Sequence, residues 1–399
     1  MDTPNFNNST NIIENYISDD CNEMILYNVN EYKSINNIFI ENKGFEDEEV
    51  FYSVRMNQDI NSRSQTTKEV QSFISDKNNI SKKKTDNDNN VLSLESSPFI
   101  LANTQHVNFD HLDNDCIIPV FSKDNEKTIA HQEFIEAVIS AISIAFPHQN
   151  MSNPEIRVSH QIKGRIPSAI HKTVKELEDH EKTIYYERMA FIIRIPSIKD
   201  VINGNEVSLT IGGVRSYNQE NLYSKKTLEK FKFFIGFQNK VCCNLCVSTD
   251  GFLDNLRVSS PQELQSKILD TVHRYDAELH LMEMKELTKD YLSEHQFAQL
   301  IGKSRLYQYL PKQEKQNIPF LNFNDNHIST MVKDYYEDQN FCRMEDGKIN
   351  LWDVYNLFTQ ANKSSYIDTF LNRNLNAFEF SKGLQKTLNG KENYHWFLS

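Results

Sequence analysis

The hydrophobic and polar positions divide the chain into three stretches with different periods. Over residues 1–95 there is no period: only 31 residues are apolar, among 18 Asn, one Gly and one Pro, with polar runs such as Lys82 to Asn90. Such a segment buries too little apolar surface to offset an ordering cost of roughly 1–2 kcal/mol per backbone residue, so a disordered, acidic, Asn-rich tail is expected. Its two apolar patches, Met24 to Tyr27 and Ile35 to Ile40, are where it would dock on the body or on a partner.

Residues 96–259 read as a mixed α/β sheet region. Ile117-Ile118-Pro119-Val120-Phe121 has strand character, and residues 128–146 are apolar on nearly all faces, the mark of a central helix covered on both sides. Strand-like runs follow at Ile156 to Ile166, Ala190 to Ile195, Val207 to Val214, Phe231 to Phe237 and Val241 to Val247, with Asn203-Gly204-Asn205 placed for a hairpin turn. Together they predict a largely antiparallel sheet.

Residues 260–399 switch to helical spacing and read as a helical region packed on the same body. Ser260-Pro261-Gln262-Glu263 combines an N-cap Ser, a Pro at the first helical position and a Glu at the third. Leu264, Ile268, Val272, Tyr275, Leu279 and Met282 then recur at three- and four-residue steps, which predicts one continuous helix. A second capping box, Ser293 to Gln296, opens another helix, and further helices are expected at 327–336, 350–361 and 365–388. The fold class is thus α+β: a largely antiparallel sheet with a central helix, then a helical C-terminal half, behind a disordered N-terminal tail.

Charge changes the picture little for the body. Residues 1–95 hold 9 Lys/Arg against 17 Asp/Glu, so −8 of the net −12 belongs to the tail and −4 to the rest, which leaves a nucleic-acid partner open. The polar start lacks a basic region followed by an apolar core, and the most apolar run, Ala137 to Phe146, is half the length of a bilayer span. Six cysteines in 399 residues make no disulfide scaffold. No membrane association and a cytoplasmic location are expected.

The motifs that would carry chemistry are incomplete. Gly302-Lys303-Ser304 resembles the end of a phosphate-binding loop, but the required earlier glycine is Phe297, so Lys303 is read as a solvated helix residue. Residues 342–353 resemble a calcium loop in which Cys342 and Met344 replace two oxygen ligands. Cys243 and Cys246 form a CxxC beside Cys242, with no second pair to complete a tetrahedral site, and on a strand they would point to opposite faces. Buried, inert thiols are the reading. Neither HExxH nor GxSxG occurs. No metal, cofactor or catalytic residue is assigned. A polar group after Gly212-Gly213, namely Arg215, Tyr217, Asn218 and Asn221, suits either a pocket lining or a hydrogen-bonded turn.

Two basic stretches stand out. Arg157, Lys163, Arg165, Lys172 and Lys175 face Glu155 alone over residues 155–175, and Lys225, Lys226, Lys230, Lys232 and Lys240 face Glu229 alone over 223–240. If 230–238 is a strand, Phe231, Phe233, Ile235 and Phe237 form the core face while Lys230, Lys232, Phe234 and Gln238 project the other way. A cationic sheet face with one aromatic ring suits single-stranded nucleic acid, the charges tracking phosphates and the ring stacking a base. The candidate binding residues are Arg157, Lys163, Arg165, Lys225, Lys226, Lys230, Lys232 and Phe234, and the alternative is an ordinary solvated face.

From about Ser97 to Ser399 the chain resembles the domain-of-unknown-function family DUF3871. The resemblance is carried by Lys163-Gly164-Arg165-Ile166-Pro167, Lys182 to Met189, Gly212 to Asn218, Phe234 to Val247, Phe297 to Gly302, Leu351 to Tyr366 and the aromatic end Trp396-Phe397-Leu398. Val241-Cys242-Cys243-Asn244 is also similar to the VCxN element of a phage/plasmid-like family of unknown function. The resemblance implies one contiguous body and a setting on mobile genetic elements, and it brings no established activity. Two functions are therefore expected to compete. One is a single-stranded DNA-binding accessory of replication or recombination. The other is a non-catalytic interaction module for host or element-encoded proteins.

Overall fold

The computed structural model describes residues 50–52, 98–117, 128–169, 171–219, 228–391 and 394–399. Met24 to Tyr27, Ile35 to Ile40 and most of the Ile117–Phe121 run lie outside them. Two compact units make up the described chain: residues 50–52 with 162–184, and residues 98–161 with 185–399. The sheet strands are β1 (Val50–Tyr52), β2 (Gln105–Val107), β3 (Glu155–Arg165), β4 (Lys182–Ile202), β5 (Asn205–Ser216), β6 (Glu229–Asn239) and β7 (Leu245–Val258). Between β2 and β3 run the helices α1 (Phe109–Asn114) and α2 (His131–Ala145).

In the smaller unit β1 pairs in parallel with the end of β3, Val50 opposite Lys163 and Tyr52 opposite Arg165. In the larger unit the strand order is β3-β4-β5-β6-β7, with β2 antiparallel on β3. Its register starts at the predicted hairpin. Asn203 (φ 48°) and Gly204 (φ 80°) take the two left-handed positions of a tight turn, and Ile202 to Arg188 then pair with Asn205 to Ser216. The register shifts between Ile195 and Lys199, where Pro196 has no N–H to give to the ladder.

Each face of the sheet is covered. On one, Phe134 of α2 meets Phe191 and Phe231 edge-on at ring separations of 5.1 and 4.8 Å. Gly213 makes this approach possible: a Cβ there would lie 2.4 Å from Phe134 Cζ. On the other, Ile192, Val214, Phe234 and Val247 pack with Phe99, Ile367 and Phe370.

The C-terminal half contains α3 (Pro261–Arg274), α4 (Ala277–Leu287), β8 (Tyr291–Leu292), α5 (Glu294–Tyr309), α6 (Lys312–Lys315), α7 (Asp325–Glu337), β9 (Ile349–Asn350), α8 (Leu351–Asn362), α9 (Ile367–Leu388) and α10 (His395–Leu398). The expected single helix through Tyr275 is two. Tyr275 is extended, Asp276 accepts from Leu279 N at 2.9 Å to cap α4, and the Tyr275 hydroxyl lies 2.7 Å from His280 Nδ1. A good N-cap ends one helix and starts the next without disturbing the three- and four-residue spacing of the apolar stripe. The run at Val241–Val247 is likewise corrected: residues 240–243 form the β6–β7 turn, with Cys243 left-handed at φ 58°, and the strand starts at Leu245. No helix among the described residues is long and apolar enough to cross a membrane.

Candidate nucleic-acid interface

The cationic sheet face expected from the sequence is internal. Phe234 is 1% exposed, packed under Ile367 and Phe370 of α9 where it cannot stack a base. Lys232 is buried beside it. Its ammonium lies 2.9 Å from Asp254 Oδ1, donates to Asp368 O at 2.9 Å, and also reaches Asn372 Oδ1. Both expectations of exposure are corrected, for one reason: β6 is a central strand, and the face opposite its phenylalanines is closed by α9. Lys230 is half-buried at the end of this face, and Lys225 and Lys226 lie outside the described residues.

The first basic stretch does not supply the missing surface. Arg157 is half-buried on β3. In the smaller unit Lys163 is exposed, but Arg165 is buried and donates to the carbonyls of Ala169 and Lys172. Carboxylates from the following residues offset the rest, with Lys172 2.5 Å from Glu181 and Lys182 2.8 Å from Asp179.

Lys232 belongs to a polar clamp at the start of α9, and Lys230 lines the recess beside it. Ser216 Oγ donates to Asp368 Oδ1 at 2.5 Å, Arg188 Nη1 lies 3.2 Å from Asp368 Oδ2, and Asn372 donates to Asp254 at 2.8 Å. The first turn of α9 has no side-chain N-cap, and these sheet residues hold it instead. Val214, Ser216, Lys230, Phe231 and Lys232 line a recess of about 10 Å3, room for a single water rather than a substrate.

The polar group after Gly212-Gly213 is also a clamp. Arg215 is fully buried, paired with Glu229, donating to Ile129 O at 2.5 Å, and stacked 4.2 Å above Phe231 and 4.6 Å from Tyr217. Both Glu229 oxygens accept from Ile129 N at 3.0 Å, which ties the entry to α2 onto β6. His131 stacks on Tyr217 and bonds Tyr186 O at 2.8 Å. Burial, helped by the Arg215 charge, lowers its pKa to about 3, so it stays neutral. Asn221 lies outside the described residues.

Two stretches that carried the family resemblance meet in a third buried centre. Asn356 of α8 accepts from Asn244 Nδ2 at 3.3 Å and from Asn239 Nδ2 at 3.5 Å, while Lys363 donates to Cys242 O. Cys242, Cys243 and Cys246 are all buried, and burial pushes Cys242 and Cys246 up to about 12, as inert thiols require.

At the edge of this centre Asp353 is bonded by Asn350 and by the hairpin residue Asn203, and burial raises its pKa to about 7. A folded-state value above the unfolded one means that the contribution of Asp353 to stability is full below about pH 4 and is lost as pH rises through 7. Asp353→Asn should remove this decline and raise stability at pH 8 by roughly 2 kcal/mol, read from urea melts at pH 5 and 8.

A half-buried cation–aromatic cluster with exposed neighbours lies in the helical half. Lys303 Nζ sits 4.9 Å over the Trp396 ring, and Lys315 Nζ sits 5.1 Å over Tyr307 while donating to Gln308 O at 3.0 Å. Tyr307 and Trp396 are themselves in contact, ring centroids 6.4 Å apart. Lys312 is exposed on α6, and Tyr309 at the end of α5 is 83% exposed. None of Lys303, Lys312 and Lys315 has a carboxylate partner among the described residues, whereas Arg305 is paired with Asp325 at 3.0 Å. Residues 303–316 hold four Lys/Arg against Glu314 alone, interleaved with Tyr307 and Tyr309. That pattern was available in the sequence but hidden by reading Lys303 only as a failed phosphate-loop lysine.

No curated protein and no solved structure matches the chain. A family model described as "Domain of unknown function, B. Theta Gene description (DUF3871)" matches residues 75–398. The match takes in the sheet from β2 to β7, the buried clamps and the α5–α6 corner, and the chain belongs to that family.

Proposed function

We propose that this chain binds single-stranded nucleic acid at the α5–α6 corner, as a non-enzymatic accessory of replication or recombination on a mobile genetic element. The observation that carries the reading is the set Lys303, Lys312 and Lys315 on α5 and α6, without acidic partners among the described residues, with the exposed ring of Tyr309 at the end of α5. Lysines track phosphates, and a ring open on one side stacks any base, so such a surface selects single strands with little sequence preference. The sheet lysines, by contrast, are offset by Asp254 and by the α9 clamp.

Fluorescence anisotropy with a labelled oligothymidylate of about 20 nucleotides tests it, at low salt where a phosphate contact is strongest. Replacing all three lysines by Ala should flatten the dependence of log K on log salt by about 2, since each single-strand phosphate contact contributes about 0.7. Tyr309→Ala should weaken binding about tenfold with the salt slope unchanged. Absence of binding at about 50 mM salt overturns the reading.

A protein partner is the second reading, and the exposed apolar side chains Leu306 (58%) and Phe320 (65%) favour it. Polyglutamate distinguishes the two. If it displaces the oligonucleotide at equal charge concentration, the corner recognises acidic chains in general, and an acidic protein segment becomes the better partner.

A further inference from the structure

We propose that Trp396 is a second base-stacking ring of this surface, held at the protein's face by two anchors in the C-terminal segment; the assignment rests on the nucleic-acid reading above. The first anchor is Tyr394. Its backbone N–H donates to Thr387 Oγ1 at 3.0 Å, and its ring lies flat against α9 at Gly383, where a Cβ would come 2.1 Å from Tyr394 Cζ. The second is Phe397, fully buried, edge-on to Phe380 at 4.8 Å and tilted against Tyr307 at 5.9 Å. Between them Trp396 is only half-buried, perpendicular to Phe397 at a ring separation of 4.9 Å, with the Lys303 ammonium over its face.

A tryptophan placed only to fill space would turn inward with its neighbours. Here the neighbours on both sides do the packing and leave the indole half-buried, next to a lysine without an acidic partner among the described residues. A phosphate drawing Lys303 off the ring would free that face for the adjoining base, so charge contact and stacking occur at adjacent positions of one strand. Lys303–Trp396 is then one such pair, with the exposed Tyr309 and Lys312 following at the end of α5 and on α6.

The chain has two tryptophans, and Trp352 is fully buried, so a change of indole emission on binding reports Trp396. Titrating the full chain with unlabelled oligothymidylate should quench tryptophan emission in step with the anisotropy of the labelled oligomer. Trp396→Phe should abolish the quench, and Trp396→Ala should weaken binding by about 5- to 150-fold. Gly383→Ala, which displaces Tyr394 without touching any proposed binding residue, should reduce both the quench and the affinity while the circular dichroism of the fold is retained. Binding by anisotropy with unchanged emission, or a quench that persists in Trp396→Phe, overturns the role of Trp396 and leaves the corner's function standing. Failure of the unaltered chain to bind the oligomer removes both.

Discussion

Gly213→Val should cost about 3 kcal/mol or more, a large share of the roughly 5–15 kcal/mol that holds an ordinary domain folded. A Cβ at this position meets Phe134 Cζ at 2.4 Å and Lys232 O at 2.6 Å. Neither can move aside. Phe134 is wedged between Phe191 and Phe231, and the Lys232 carbonyl belongs to a backbone whose register is fixed, with Gly213 opposite both Phe191 and Phe233. The denaturation midpoint in urea should fall with the slope unchanged, and a midpoint within experimental error of the parent would show that α2 does not press on the sheet here. Gly302→Ala is the opposite case. Gly302 lies within α5 with nothing within 4 Å of its missing Cβ, so the substitution should stabilise by about 1 kcal/mol.

Arg215→Met should be at least as damaging, about 3–5 kcal/mol, because it leaves Glu229 charged and largely enclosed. The loss comes from stranding the carboxylate more than from the pair's own strength. Adding Glu229→Gln to Arg215→Met should therefore recover a large part of the stability, even though the double variant has fewer polar contacts. A double-mutant cycle with no coupling would mean that Arg215 acts through contacts other than Glu229, such as its stacking on Phe231 and Tyr217 and its bond to Ile129 O.

The elements were legible in the sequence where local chemistry specifies them. The Asn203-Gly204 turn, the Ser260 and Ser293 caps and the alternation along β6 are properties of a few adjacent residues, and each appears where the pattern placed it. Alternation separates the two faces of a strand but says nothing of what covers either. Phe234 looked like a solvent-facing ring because Ile367 and Phe370, which bury it, are more than a hundred positions away in the chain. Lys232 looked free for the same reason. Spacing also failed at Tyr275, since an apolar stripe at three- and four-residue steps continues unbroken across two helices that meet at a cap.

The α5–α6 corner was missed differently. Lys303 is a helix residue, as expected, but it is half-buried against a ring that comes from the far end of the chain, and no local pattern announces that meeting. The glycine that seats the C-terminal segment is similarly silent in sequence. Gly383 reads as a weak spot within α9, and only the ring of Tyr394 explains it.

The closing of the sheet by α9 also sets an order of events during synthesis. Lys232 and the Asp368 carbonyl that accepts its hydrogen bond are 136 residues apart, so strands β2 to β6 leave the ribosome well before the helix that covers them. At about 5–20 residues per second the interval is roughly 7–27 s. Until α9 follows, Ile192, Val214 and Phe234 lack the cover of Ile367 and Phe370, and apolar surface left open in this way makes an incompletely folded chain prone to aggregate.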